Sequence, residues 1–237
     1  MKIKAVLFDL DGTLLSMDQD LFISEYISAI AAYLAPHGYD PRLFAKALWK
    51  GTAAMVKNDG QALNESVFWS VFSSLFPDRS IEEDKPLFDE FYVKKFDSIK
   101  DKVAKHDPMA RAAMDRIKER GLRTILATNP LFPSIATEKR IAWAGFSPTE
   151  FEFFTSYENS YHSKPNPDYY RAVCKKAGLL PEECLMVGND VGDDMIAESL
   201  GMKVFLLTDN LINSSSADIS VYPGGGFADL IKFIDTL

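Results

Sequence analysis

The chain has 237 residues, 47% of them hydrophobic and 25% charged, so it can bury an ordinary globular core without disulfides or structural metals. Its formal net charge of −8 argues against a nucleic-acid-binding protein and against attachment to an anionic membrane surface. Two cysteines are too few for a disulfide framework, and residues 5–8 form too short an apolar run for a signal peptide or a membrane helix. We therefore expect a cytoplasmic protein that binds neither nucleic acid nor a membrane.

Four short apolar runs that end at polar residues predict buried strands of a parallel sheet. They are residues 3–8, 123–127, 185–187 and 204–207. Helical patterns lie around the last three runs, over residues 109–120, 134–144, 167–177 and 193–200. This alternation predicts an α/β fold with a Rossmann-like parallel sheet, in which ligands bind at the carboxyl ends of the strands. A glycine run at 224–226 is predicted to be a flexible turn before a last helix over 227–234.

The segment after the first strand interrupts the alternation, because it is helical throughout. The predicted helices are residues 21–34, 41–56, 65–76 and 81–102. Many aromatic residues recur here at helical spacing, such as Phe68 and Phe72, and we expect them in a core. We interpret residues 16–106 as a helical domain inserted into an α/β domain made of residues 1–15 and 107–237. His106, at the boundary, is expected at the surface.

The strongest chemical signal follows the first predicted strand, where Asp9 and Asp11 precede Gly12. Two carboxylates beside a glycine are also common in a simple turn, so the pair alone leaves both interpretations open. The chemical interpretation is that one carboxylate attacks an electrophile while the other exchanges protons with the leaving group and with water. A hard cation such as Mg²⁺ would bind the same oxygens.

Residues 7–14 (Leu-Phe-Asp-Leu-Asp-Gly-Thr-Leu) resemble the first motif of the haloacid dehalogenase superfamily, most of whose members are magnesium-dependent phosphatases. The ends of the later strands resemble the other motifs of that family in the expected order. Thr128 looks like the second motif, Lys164 the third, and residues 186–194 the acidic fourth. Each later motif is weak alone, but four motifs in order at strand ends are highly specific.

This resemblance implies a reaction and a set of roles. Asp9 would attack phosphorus and form an aspartyl-phosphate, and Asp11 would protonate the leaving oxygen and then activate water. Thr128 would hold a phosphoryl oxygen, and Lys164 would offset the charge between nucleophile and phosphoryl group. Mg²⁺ would bridge Asp9, the Asp11 carbonyl oxygen, the fourth motif and the phosphate. Three neighbours are expected to support this set: Asn129, which would help to bind the phosphoryl group, Gly12 and Thr13.

The fourth motif departs from the family pattern at one position. The family usually has an aspartate directly after the glycine that ends the strand, and this chain has Asn189 there. The magnesium ligand is therefore either Asn189, which residue counting favours, or Asp190, which charge favours. Asp193 aligns best with the second acid of the motif, and Asp194 is its rival.

The position of the helical insert, between the first and second motifs, implies a cap that closes over the site. We therefore expect a magnesium-dependent phosphatase that acts on a small phosphorylated metabolite. A sugar phosphomutase shares all four motifs and remains an alternative. A phosphonate hydrolase is another, because it needs a lysine from the cap, and Lys46, Lys50 and Lys57 lie on one predicted helix face.

Overall fold

The computed structural model of the protein describes residues 2–105 and 107–237, so the expectation for His106 falls outside the described residues. Within those two ranges, no helix combines the length and the apolar character that crossing a membrane requires. The strands are β1 (Ala5–Phe8), β2 (Ser16–Met17), β3 (Ala104–Lys105), β4 (Arg123–Leu126), β5 (Cys184–Gly188), β6 (Lys203–Leu207) and β7 (Gly224–Gly225). The α-helices are α1 (Gln19–Leu34), α2 (Pro41–Val56), α3 (Asn64–Ser73), α4 (Ile81–Lys94), α5 (Lys100–Val103), α6 (Pro108–Glu119), α7 (Ser134–Trp143), α8 (Pro167–Ala177) and α9 (Phe227–Asp235).

A parallel sheet with the strand order β4-β1-β5-β6-β7 forms the centre of the protein. Side chains alternate between its two faces, as the two-residue period of a strand requires. On β1, Val6 and Phe8 pack in the same cluster as α6, α7 and α9. Ala5 and Leu7 pack in a second cluster with α8. The sheet is buried on both faces, which explains why its strands are short apolar runs. The predicted α/β Rossmann-like fold is therefore confirmed.

The segment between β2 and β3 is helical and has an aromatic core continuous with one face of the sheet. The predicted helix over 81–102 ends early, because the chain turns after α4 into a 3₁₀ helix, Phe96–Ile99. This turn buries Phe96, whose ring stacks on Trp143 of α7 with 4.8 Å between centroids. Asp97 accepts a hydrogen bond from the Trp143 indole at 2.8 Å. Packing against α7 therefore overrides the helical pattern of the sequence.

The two places where the chain crosses between the sheet and the helical insert lie side by side. Ser16 pairs with Lys105 and Met17 with Ala104, so β2 and β3 form a short antiparallel ribbon. We propose that this ribbon is the boundary between the α/β domain and a cap domain formed by residues 16–106.

Two local predictions in the C-terminal half of the chain are wrong in detail. Residues 224–226 are not a flexible turn, because Gly224 and Gly225 pair with Leu206 and Leu207 and form the edge strand β7. A side chain at residue 224 would bring its Cβ to 2.8 Å from the Leu206 carbonyl oxygen, which explains the glycine there. The predicted helix over 193–200 is a 3₁₀ helix, Met195–Leu200.

Candidate active site

Three neighbouring strands deliver the polar residues to one edge of the sheet. Asp9 follows β1, Thr128 lies two residues beyond β4, and Asn189 follows β5. Because β1 lies between β4 and β5, all three residues reach the same cleft, which we call the carboxylate cleft. Its volume is about 250 Å³. It is lined by Asp9, Asp11, Gln19, Phe22, Ile23, Thr128, Asn129, Leu131, Phe132, Asn189, Asp190, Asp193 and Asp194.

Lys164 is buried at the base of this constellation, where it bridges two carboxylates. Its Nζ lies 2.8 Å from Asp9 Oδ1 and 2.6 Å from Asp194 Oδ1, and its side chain is 1% exposed. Burial alone would lower the pKa of Lys164, but the two carboxylates raise that pKa well above its usual value. Lys164 therefore remains an ammonium. Asp194, rather than Asp193, is the acid of the fourth motif that this ammonium contacts.

The carboxylate of Asp11 contacts a residue that the sequence did not point to, Arg140 of α7. Arg140 is 1% exposed; its Nη1 donates to Asp11 Oδ2, and its guanidinium lies 4.4 Å from the centre of the Phe132 ring. Burial raises the pKa of Asp11 to about 6, although Arg140 acts in the opposite direction. Gln19, from the start of α1, donates to the Asp11 carbonyl oxygen at 3.0 Å. A carboxyl group with this pKa is suited to exchanging protons near neutral pH.

Two hydroxyl groups hydrogen-bond to the backbone of the loop after β4. The Thr128 carbonyl oxygen accepts hydrogen bonds from Thr155 Oγ1 at 2.6 Å and from the Tyr169 hydroxyl at 2.9 Å. Asn129, the next residue, donates to Asp193 Oδ2 at 3.0 Å. Asn129 Oδ1 is buried and has no hydrogen-bond partner among the residues that the structure describes. The loop therefore presents Thr128 and Asn129 to the cleft on a fixed backbone.

The structure gives a physical reason for Asn189, the departure from the family pattern. Its Oδ1 accepts a hydrogen bond from Thr13 Oγ1 at 2.9 Å, and its Nδ2 donates to the Asn210 carbonyl oxygen at 2.7 Å. The amide packs so closely on Gly12, which has φ of +84°, that a Cβ there would lie 2.4 Å from Asn189 Nδ2. An aspartate at position 189 would set a carboxylate oxygen against the Asn210 carbonyl. The hydrogen bond to the Asn210 carbonyl therefore favours asparagine over aspartate at this position.

Oxygen donors suitable for a magnesium ion lie around the cleft. Asp190 accepts from the backbone amides of Gly192 and Asp193 through Oδ1, at 2.7 and 3.0 Å, which orients its carboxylate. Across residues 2–105 and 107–237, no three His, Cys, Asp or Glu side chains are grouped closely enough to hold a metal ion by themselves. Mg²⁺ does not require such a cage, since it usually binds through one or two carboxylates, waters and substrate phosphates. The donor set of Asp9, Asp190 and the Asp11 carbonyl fits that preference.

The lysines of the predicted cap do not reach the cleft. Lys46, Lys50 and Lys57 are exposed, and none of them lines it. Gln19, Phe22 and Ile23 of the insert do line the cleft, and Gln19 contacts the first motif through the Asp11 carbonyl oxygen. The sequence could have indicated Gln19, because it directly follows Asp18, a residue type that favours the start of a helix. The Asp18 side chain caps the first turn of α1 by accepting a hydrogen bond from the Leu21 amide.

Comparison with known proteins identifies the family. The sequence model of one protein family, the haloacid dehalogenase-like hydrolases, matches residues 3–201 of this chain. The chain belongs to this family. It is therefore a hydrolase, as its motifs predicted.

Curated relatives and solved structures agree with this assignment. A phosphoglycolate phosphatase from Vibrio vulnificus is 26% identical over 216 residues, covering 87% of this chain and 84% of the relative. The pyrophosphatase PpaX of Bacillus velezensis is 22% identical over 202 residues, covering 85% and 82% of the two chains. A HAD phosphatase from Thermococcus onnurineus superposes with a TM-score of 0.60 at 18% identity, over 98% of each chain. At that identity the structural likeness shows the fold alone.

Proposed function

We propose that this hydrolase is a magnesium-dependent phosphatase that cleaves a small phosphomonoester through an aspartyl-phosphate on Asp9. The observation that carries the proposal is the buried Lys164 ammonium, which contacts the carboxylate of Asp9 at the base of a cleft that also contains Asp11 and Thr128. A carboxylate can attack an anionic phosphoryl group only where positive charge offsets the repulsion between them.

Asp9 is the nucleophile in this proposal. Its carboxylate attacks phosphorus in line with the leaving oxygen, so that the O–P bond to Asp9 forms as the bond to the alcohol breaks. Lys164 binds one carboxylate oxygen of Asp9 and fixes its direction, while Asp194 holds the other side of the ammonium. Thr128 and Asn129, which lie in the loop after β4, bind the oxygens of the phosphoryl group.

Asp11 moves the protons of both half-reactions. It donates a proton to the alcohol oxygen that leaves, and its carboxylate then accepts a proton from the water that attacks the aspartyl-phosphate. Each turnover thus returns Asp9 and Asp11 to their starting states and releases alcohol and inorganic phosphate. Arg140 orients the Asp11 carboxylate between these transfers, since it contacts Oδ2.

Mg²⁺ would be held by the Asp9 carboxylate, the Asp11 carbonyl oxygen and Asp190. When bound, it supplies Lewis-acid stabilisation of the phosphoryl oxygens. Asp190 is preferred to Asn189 because its carboxylate is charged and has a second oxygen besides the Oδ1 that accepts from Gly192 and Asp193, whereas the single oxygen of the Asn189 amide already accepts from Thr13. The names of the two curated relatives, a phosphoglycolate phosphatase and a pyrophosphatase, support phosphatase chemistry in this chain.

The test is phosphate release from p-nitrophenyl phosphate and a panel of phosphomonoesters, with Mg²⁺ and with EDTA. Asp9→Asn is the test variant, and Asp115→Asn, an exposed residue on α6, is the matched control. We expect magnesium-dependent release that is lost in Asp9→Asn and retained in the control. Isomerisation of a sugar phosphate without release would instead identify a mutase. Inactivation by borohydride in the presence of a phosphonate would identify a phosphonate hydrolase.

A further inference from the structure

Next to the carboxylate cleft lies a second cavity with very different walls, which we call the aromatic pocket. Its volume is about 130 Å³. It is lined by Ile23, Tyr26, Ile27, Leu48, Trp49, Thr52, Phe68, Trp69, Phe88, Tyr92, Leu131, Phe132, Pro133 and Tyr157. Ile23, Leu131 and Phe132 line both cavities, so the pocket shares a wall with the cleft and lies next to the place where the phosphoryl group would bind.

The lining of this pocket contains no lysine, arginine or carboxylate from the described part of the chain. The hydroxyl groups of Tyr26 and Tyr92 hydrogen-bond to each other at 2.7 Å, so each already has a protein partner. In the adjoining cleft, the nearby cations Lys164 and Arg140 are each engaged by carboxylates. A substrate with a second anionic group beyond its phosphate would therefore meet no protein cation in this direction.

The pocket nevertheless has features of a binding site rather than of a filled core. Trp49 lines the pocket and is 53% exposed, so this part of the pocket wall is accessible to solvent. Trp69 is buried, and its indole Nε1 makes no well-aligned hydrogen bond within residues 2–105 and 107–237, although the Tyr157 side chain lies close enough to interact with it. Such a donor is costly to bury without a partner, and a ligand with an acceptor atom would supply one.

We propose that the aromatic pocket binds the leaving group of the substrate, and that this group is an uncharged, ring-bearing alcohol with a hydrogen-bond acceptor. The proposal rests on the proposed phosphatase function and names its substrate class. The size of the pocket matches one six-membered ring, since an apolar cavity of about 150 Å³ in another protein binds benzene. Phosphoglycolate, whose leaving group carries a carboxylate, is a poor fit.

Hydrolysis of benzyl phosphate and ethyl phosphate tests the proposal, because the two leaving alcohols are of similar acidity and differ in the ring. We expect kcat/KM for benzyl phosphate to be about 50-fold higher, the advantage of burying one ring. Benzyl phosphate should also exceed phosphoglycolate. Equal rates for benzyl and ethyl phosphate, or a preference for phosphoglycolate, would overturn the proposal while the phosphatase function stands.

Thr52→Phe would fill the pocket from α2, and Ala53→Phe would add the same ring to the exposed side of that helix. We expect the benzyl-to-ethyl ratio to fall at least 10-fold in Thr52→Phe and to stay unchanged in Ala53→Phe. The same pair of variants, titrated calorimetrically with benzylphosphonate and ethylphosphonate, gives a readout that needs no turnover. Tighter binding of benzylphosphonate by the wild type and not by Thr52→Phe supports the pocket even if the chain hydrolyses no ester. Equal binding of the two phosphonates by the wild type overturns it.

Discussion

Arg140 and Asp11 form a partly buried ion pair that joins α7 to the loop after β1, across 129 positions of the sequence. The guanidinium is held by more than this pair. Its Nε donates to the Ala136 carbonyl oxygen at 3.3 Å, Nη2 donates to Thr137 Oγ1 at 3.3 Å, and the Phe132 ring lies beneath it. Because Arg140 has these other partners, its direction does not depend on Asp11. It can therefore orient the Asp11 carboxylate as a positioning residue.

Replacing Arg140 with methionine should leave the partly buried Asp11 carboxylate without its cation. We expect the free energy of unfolding to fall by about 3 kcal/mol, and kcat to fall more than KM changes. A double-mutant cycle with Asp11→Asn separates the pair from the packing of Arg140. The double variant should be less destabilised than the sum of the two single variants, by about 1–3 kcal/mol. Additive effects would mean that the pair contributes nothing, and Arg140→Lys should restore part of the stability if charge matters.

Lys164 is the second buried cation whose loss has a specific expected result. In Lys164→Met, the carboxylates of Asp9 and Asp194 would face each other without the ammonium between them. We expect the free energy of unfolding to fall by about 3–5 kcal/mol and phosphate release to be lost. Lys175→Met, an exposed lysine on α8, is the matched control and should behave as wild type. A Lys164→Met variant with an unchanged urea midpoint would show that the Lys164 ammonium does not offset the repulsion between the two carboxylates.

The loop after β5 allows a test of which residue binds magnesium. Asp190→Asn removes a negative charge from a carboxylate that lines the cleft, so we expect Mg²⁺ binding to weaken at least about 10-fold. Calorimetric titration of the protein with Mg²⁺ measures this directly and needs no substrate.

Asn189→Asp is the informative counterpart, because it restores the residue that the family usually has. In this chain it removes the hydrogen bond to the Asn210 carbonyl and sets two oxygens against each other. We expect a loss of about 1–3 kcal/mol of stability and no gain in Mg²⁺ affinity. Tighter Mg²⁺ binding by Asn189→Asp would place residue 189 in the metal site and reverse our preference for Asp190.

Much of this site could be predicted from the sequence, because its residues follow strands. A short apolar run that ends at a polar residue indicates both a parallel strand and the edge where ligands bind, and Asp9, Thr128 and Asn189 all follow such runs. Strand order was not needed, since every parallel strand ends at the same edge. The sequence could not decide between Asp193 and Asp194, because two neighbouring residues reach the same edge of the sheet and differ only in the direction in which their side chains point.

Contacts made by helix faces could not be predicted from the sequence. Arg140 lies in α7 among residues that read as an ordinary amphipathic helix, and nothing local distinguishes a buried arginine from an exposed one. The break after α4 has the same origin, since Phe96 leaves the helix in order to stack on Trp143 of a distant segment. Tertiary packing decided both outcomes, and no local pattern records it.

Glu150 carries a pH dependence of stability that is remote from the site. Arg111 lowers the pKa of Glu150 to about 2, with help from Lys118 and from the Ser147 amide, which donates at 2.9 Å. The pKa is lower in the folded protein than the usual value of 4.5, so this contribution to stability is fully present above about pH 4.5. It is lost as the pH falls toward 2, where the carboxyl group becomes protonated in the folded protein as well.

Glu150→Gln should therefore cost stability at pH 7 and not at pH 2. Because the carboxylate is partly exposed, we expect a cost of about 1 kcal/mol, which the urea midpoints of the two proteins at pH 7 would measure. Glu119→Gln is the control, since Glu119 pairs with Arg116 at a much more exposed position and should change the midpoint little. A cost for Glu150→Gln that persists at pH 2 would mean that the side chain acts through packing or neutral hydrogen bonds. The lowered pKa would then have no part in holding the turn at residues 148–150 against α6.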